Sequence, residues 1–110
     1  MTSYYHPAHL DRFGSIEKGN PELARKFFDW YGAVMGDGAL TRREKSLIAL
    51  AVAHAVQCPY CIDAYTKGSL EAGADLDQMT EAVHVAAAIR GGSSLIHGLQ
   101  MRAHHDELSM

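Results

Sequence analysis

The chain has 110 residues, 47% of them hydrophobic and 21% charged, with a formal net charge of -3; that is one domain's worth of sequence, with enough apolar content for a core. A mild acidic balance without a basic block supplies no electrostatic footprint for nucleic acid or an anionic membrane surface. The longest apolar run, LIALAVA, falls far short of the ~20 residues of a membrane span, and the start lacks the basic-then-apolar pattern of a secretory leader, so a cytoplasmic location is expected.

In chain order, residues 1–19 form an arm with YYHP, Gly14 and Gly19, whose aromatics suggest docking onto the rest of the molecule. Asn20-Pro21-Glu22 is a helix start, with Asn as N-cap and Pro at the first helical position. The run PELARKFFDWYGAVM then spaces Leu23, Phe27, Trp30, Tyr31 and Val34 helically, and Gly36 and Gly38 end it. TRRE is a capping box, Thr41 with Glu44, and opens a helix through about Val56 with a stripe of Leu47, Ile48, Ala51, Val52 and Ala55. Pro59 breaks the run and pushes Cys58 out of the α region. A helix begins again at Pro59 and reaches Ala72, with Gly73 as its stop. Asp75 with Gln78 repeats the capping pattern and leads into MTEAVHVAAAIR. Gly91-Gly92 is predicted to stop that helix, and Ser93 or Ser94 to cap a last one, SLIHGLQMRAHH. Nothing alternates with period two for long enough to make a strand, so the expected fold is all-α with about five helices.

Both cysteines fall in AHAVQCPYCIDAY, as Cys58 and Cys61. A staple closing so short a loop would remove little chain entropy, and a reducing compartment does not sustain it. A thioredoxin-like site needs a buried strand before the motif and a proline loop after it. Here a capped, Ala-rich helix precedes the motif, and Pro7, Pro21 and Pro59 are the only prolines. Zinc would require a fourth ligand beyond His54, Cys58 and Cys61, drawn from His6, His9, His84 or His97 without a second paired motif. A redox pair suits the residues better. Both thiols stand in the first turn of a helix, where free N–H groups stabilise thiolate, and i, i+3 spacing places them on one face.

His54 lies four residues before Cys58, and Tyr65 four residues after Cys61. His54 and Glu44 are the candidate bases for thiol activation. Each has a structural reading beside the chemical one: Glu44 closes a capping box, His54 bonds backbone at the core edge, and Tyr65 packs as an aromatic. His84, three residues after Glu81, reads as a surface pair, and His97 is unassigned.

Glu44 followed by Cys58-x-x-Cys61 in a helical chain resembles the carboxymuconolactone decarboxylase/AhpD-like superfamily. The stretches GALTRREKSLIALAVAHAVQCPYCIDAYTKGSLEAG and EAVHVAAAIRGGSSLIHGLQM are similar to its arsenosugar biosynthesis-associated peroxidase-like branch. The likeness runs from about Tyr4 to Met101. It implies an antiparallel helical bundle that forms homo-oligomers, and a thiol peroxidase that consumes a small hydroperoxide at the expense of a dithiol or protein reductant, with no cofactor. Carried over, Cys61 attacks the peroxide, Cys58 resolves the sulfenic acid as a disulfide, and Glu44 relays the proton. Helix placement alone favours Cys58 as the more acidic thiol, so the two lines differ on the nucleophile. Many relatives carry histidine where this chain has Tyr60 and Tyr65, and a phenol, with an ordinary pKa of about 10, is a poor base. The relay must then be rebuilt, with His54 as the first candidate. The decarboxylase side of the superfamily generally lacks the cysteine pair, which disfavours lactone decarboxylation. The alternative from another class is a non-catalytic protein whose thiols bind a metal ion or trivalent arsenic.

Overall fold

The computed structural model describes residues 6–110, so Tyr4 and Tyr5 of the arm lie outside it. Among the described residues there are five α-helices, one short 3-10 turn and no strand. The helices are α1 (Pro7–Asp11), α2 (Pro21–Met35), α3 (Arg42–Ala55), α4 (Pro59–Glu71) and α5 (Leu76–Leu108), and the 3-10 turn is Phe13–Glu17. The all-α expectation holds. None of these helices is long and apolar enough to cross a membrane.

The capping chemistry read from the sequence is in place. Asn20 Oδ1 accepts from the Leu23 N–H at 3.2 Å. Thr41 and Glu44 close a reciprocal capping box, as do Asp75 and Gln78. The C-terminus of α2 is held by a residue no local pattern marks: Lys45 of α3 donates to the carbonyls of Val34 and Gly36 at 2.7 and 2.6 Å. A cation there complements the negative end of the helix dipole.

Helices α3 and α4 end in the same way. In α3 the Cys58 N–H donates to Ala53 O and the Gln57 N–H to His54 O. In α4 the Ala74 N–H donates to Ser69 O and the Gly73 N–H to Leu70 O. Both are Schellman closures, which place one residue in the left-handed region. That residue is Gly73 (φ 91°) after α4, but Gln57 (φ 57°) after α3. Cys58 thus closes α3 and caps α4 at once.

One expected boundary is wrong. Gly91-Gly92 do not stop the helix: α5 runs unbroken through them for 33 residues, and Ser93 and Ser94 lie inside it. Neither glycine adopts positive φ, which a stop of the αL type requires. Without that turn or a proline, a helical glycine costs only about 1 kcal/mol against alanine, which the good helix formers on either side absorb. The arm differs in the other direction, because α1 and the 3-10 turn supply helical structure where a plain arm was expected. The number of α-helices therefore matches, while two of the five differ from those expected.

Helix α3 lies between α4 and α5. Leu50 of α3 is 2% exposed and packs with Ala74 and Met79, flanked by Leu47 and Tyr65. Arg90 donates to the Ala55 carbonyl at the end of α3. Beyond it, every α5 residue except Gly98 is exposed, Leu95, Ile96 and Leu99 included. The stripe expected on α2 is exposed too, at Leu23, Phe27, Trp30 and Val34. The accessible surface is 8504 Å², whereas a folded monomer of 12.0 kDa exposes about 6,000 Å².

Candidate active site

The Schellman closure of α3 delivers Cys58 in extended conformation (φ -101°, ψ 100°) directly onto Pro59, which starts α4. Proline suits that position because its missing N–H would have no helical partner. The Cys58 sulfur accepts the Cys61 N–H at 3.2 Å, the bond a serine or aspartate oxygen makes at an ordinary N-cap. Cys58 and Cys61 are joined as a disulfide, with Cα atoms 5.2 Å apart. Two thiols in the first turn of one helix are therefore already in bonding register, without movement of the backbone between them.

The disulfide lies on the wall of a cavity of about 380 Å³. Helix α4 and its N-cap contribute Cys58, Tyr60, Cys61, Ala64 and Tyr65; α2 contributes Tyr31; and the N-terminal segment closes the remaining side with His9, Leu10 and Phe13. No carboxylate, ammonium or guanidinium lines it among the described residues. Such a space admits a small, largely apolar molecule and offers it sulfur, phenols and one imidazole. Burial pushes the Tyr31 phenol above its ordinary value of 10.0, so it keeps its proton at neutral pH.

The sequence candidates divide into two groups. Cys58, Cys61 and Tyr65 meet in this cavity. Glu44 and His54 do not line it. Glu44 stands in the first turn of α3, where its carboxylate accepts the Thr41 N–H at 2.9 Å. That bond, with the Thr41 side chain and then Arg43, holds its carboxyl below the ordinary 4.5. The cysteines adjoin the other end of α3, about 15 Å along the axis at 1.5 Å per residue. His54 is half-buried beside that end and pairs through Nδ1 with the Leu50 carbonyl at 2.8 Å. His97 makes the same kind of bond to Ser93 O, and His84 is exposed on α5 without an ion pair to Glu81.

His9, which sequence reasoning weighed only as a fourth zinc ligand, is the residue whose place beside the motif it did not foresee. Its Nδ1 lies 3.2 Å from the hydroxyl of Tyr60, the side chain between the two cysteines. Some fifty positions separate it from the motif, and no local pattern links them.

The profile of the carboxymuconolactone decarboxylase family matches residues 21–101. The chain belongs to this family. An uncharacterised protein of the cox locus of Paracoccus denitrificans is 39% identical over 95 residues, spanning 86% of each chain. A family member from Legionella pneumophila has a solved structure similar to this one, with a TM-score of 0.68 at 32% identity, covering 82% of this chain and 85% of that one. A protein from Methanobacterium thermoautotrophicum gives a TM-score of 0.74 at 37% identity, covering 78% of this chain and 97% of that one. The carboxymuconolactone decarboxylase family includes decarboxylases and alkylhydroperoxidase-like enzymes. The family profile starts at residue 21, so the segment bearing His9 lies outside it.

Proposed function

We propose that this carboxymuconolactone decarboxylase family protein is a thiol peroxidase that reduces a small hydroperoxide with Cys58 and Cys61. The observation that carries the reading is the Cys58–Cys61 disulfide on the wall of an apolar cavity. In the reduced enzyme the Cys61 thiolate attacks the distal peroxide oxygen. An S–O bond forms, the O–O bond breaks, and the alkoxide leaves as an alcohol after gaining a proton. Cys58 then attacks the Cys61 sulfur, the disulfide forms and water departs. A dithiol or protein reductant restores both thiols, becoming a disulfide itself. Cys58, capped onto the Cys61 N–H, is the better-stabilised thiolate. That suits it to resolve, and to leave when reductant attacks Cys61, because a more acidic thiol is the better leaving group. Tyr65 stands on the wall of the same cavity. Glu44 and His54 hold the two ends of α3 in the chain as folded.

The active form is a homo-oligomer. The surplus of about 2,500 Å² over a compact monomer is the area an obligate interface covers, and it carries Leu95, Ile96 and Leu99 on α5 and Trp30 on α2. Within the family we place the chain beside the arsenosugar biosynthesis-associated peroxidase-like proteins, on likeness of sequence.

The test is dithiol-dependent consumption of cumene hydroperoxide by wild type, Cys58→Ser, Cys61→Ser and the double variant. Turnover should vanish in all three variants. Full turnover in the double variant sinks the reading, and absence of turnover in wild type with a stoichiometric thiol-bound ion favours a binding protein.

A further inference from the structure

A thiol that must ionise, and an alkoxide that must leave, both need a group that exchanges protons near neutral pH. Histidine is the side chain whose ordinary charge change falls in that range. Of the histidines in the described residues, His9 alone lines the cysteine cavity. His54 and His97 direct Nδ1 at the carbonyls of Leu50 and Ser93 and lie off the wall, as does Glu44. The other protic groups on the wall are the thiols and the phenols of Tyr31, Tyr60 and Tyr65. Phenols as a class hold their proton to about pH 10.

We propose that His9, delivered by the N-terminal segment, is the acid–base residue of the cysteine cavity, with Tyr60 holding its ring in place. The assignment deepens the peroxidase reading of the same cavity and supplies the proton carrier that reading lacks. Two contacts orient the imidazole: the Tyr60 hydroxyl 3.2 Å from Nδ1, and the ring of His6 stacked at 4.4 Å and 20°. The Tyr60 contact persists in both charge states. Neutral imidazole accepts from the phenol at Nδ1, and imidazolium donates its Nδ1–H to the phenol oxygen. Among the described residues His9 contacts His6 on its own segment and Tyr60 of α4, and it shares the cavity wall with Tyr31 of α2, Tyr65 of α4 and the two cysteines.

The proton account closes. Through the molecule or water that fills the cavity, His9 takes the proton of the Cys61 thiol and becomes imidazolium. When Cys61 attacks, sulfur loses two electrons, the O–O bond takes them up, and His9 returns its proton to the departing alkoxide oxygen. His9 ends neutral, ready for the next cycle.

The test uses the full-length, reduced protein. Asparagine places an amide where Nδ1 stands, so His9→Asn keeps a partner for Tyr60 and removes the imidazole. Alkylation of the thiols by iodoacetamide is followed from pH 5 to 9 by mass spectrometry, beside dithiol-dependent turnover of cumene hydroperoxide. In His9→Asn, alkylation at pH 7 should slow about tenfold as the thiol loses its base. Turnover should fall about 100-fold, the lower end of what general acid–base catalysis contributes. Added imidazole should restore part of it in His9→Gly. An unchanged alkylation profile, or wild-type turnover in His9→Asn, overturns the proposal. Wild type that consumes no peroxide, yet shows an alkylation profile dependent on His9, refutes the peroxidase reading and leaves the His9 assignment standing.

Discussion

The two Schellman closures allow a matched pair of substitutions at Gln57 and Gly73. An L-residue in the left-handed region carries a steric cost of about 1–2 kcal/mol that glycine avoids. Glycine in turn frees the unfolded chain, which costs about 0.4–1 kcal/mol. Gln57, at φ 57° and exposed, has no side-chain hydrogen bond among the described residues that substitution would break, so Gln57→Gly should stabilise by about 0.5–1 kcal/mol net. Gly73, at φ 91°, has nothing within 4 Å of an added Cβ, so Gly73→Ala isolates the backbone term and should destabilise by about 1 kcal/mol or more. For a domain of this size 1 kcal/mol moves Tm by roughly 4–8 °C. Thermal unfolding of both variants and wild type, at one protein concentration and with the cysteines in one redox state, reads the difference directly. Two shifts of opposite sign are expected. A destabilised Gln57→Gly would refute the reasoning, because it would mean that the glutamine side chain, not the backbone, holds the turn before Cys58.

Four further outcomes are expected. Ser69 is wholly buried and its hydroxyl has no hydrogen-bond partner among the described residues, so Ser69→Ala should raise stability by about 1 kcal/mol in urea titration, since an unpaired buried donor is removed. The Glu44 carboxyl is held below its ordinary 4.5 in the fold, so its contribution is complete above the unfolded value and lost as pH falls through the folded one; the Tm gap between wild type and Glu44→Ala should narrow below pH 4.5 and persist at pH 7. Glu44→Gln keeps the capping acceptor and should keep turnover, whereas a large loss would return Glu44 to the proton relay. Leu99 is 59% exposed on the outer half of α5, and Leu99→Glu should shift the protein to a smaller species by light scattering after gel filtration.

How far the sequence revealed this molecule depends on the range of the interaction in question. Capping is local chemistry, so the starts at Asn20, Thr41, Cys58 and Asp75 could be seen in strings of four residues, and all four are where expected. The glycine pair misled because Gly91-Gly92 resembles a stop in letters while lacking the left-handed turn that makes one; letters do not carry φ. Gln57 is the converse, a left-handed position that no glycine advertises. The disulfide register was legible for the same local reason, since the positions i and i+3 of a first turn determine it.

Long-range contacts were not legible, and the candidate site depends on one. The aromatic content of residues 1–19 suggested docking, but not its target, and nothing near His9 distinguished it from the other six histidines. Only the folded backbone brings it against Tyr60, fifty-one positions away in sequence. The same holds for the outer half of α5. Its residues repeat as a helix should, but an isolated helix of some 18 residues is marginal in water, and most helical stability comes from packing of an apolar face. On the proposed assembly, a helix that exposes Leu95, Ile96 and Leu99 would gain that packing from another copy. Assembly and helix are then one equilibrium, so Leu99→Glu should lower helical content by circular dichroism along with mass, whereas loss of mass at full helicity would separate the two.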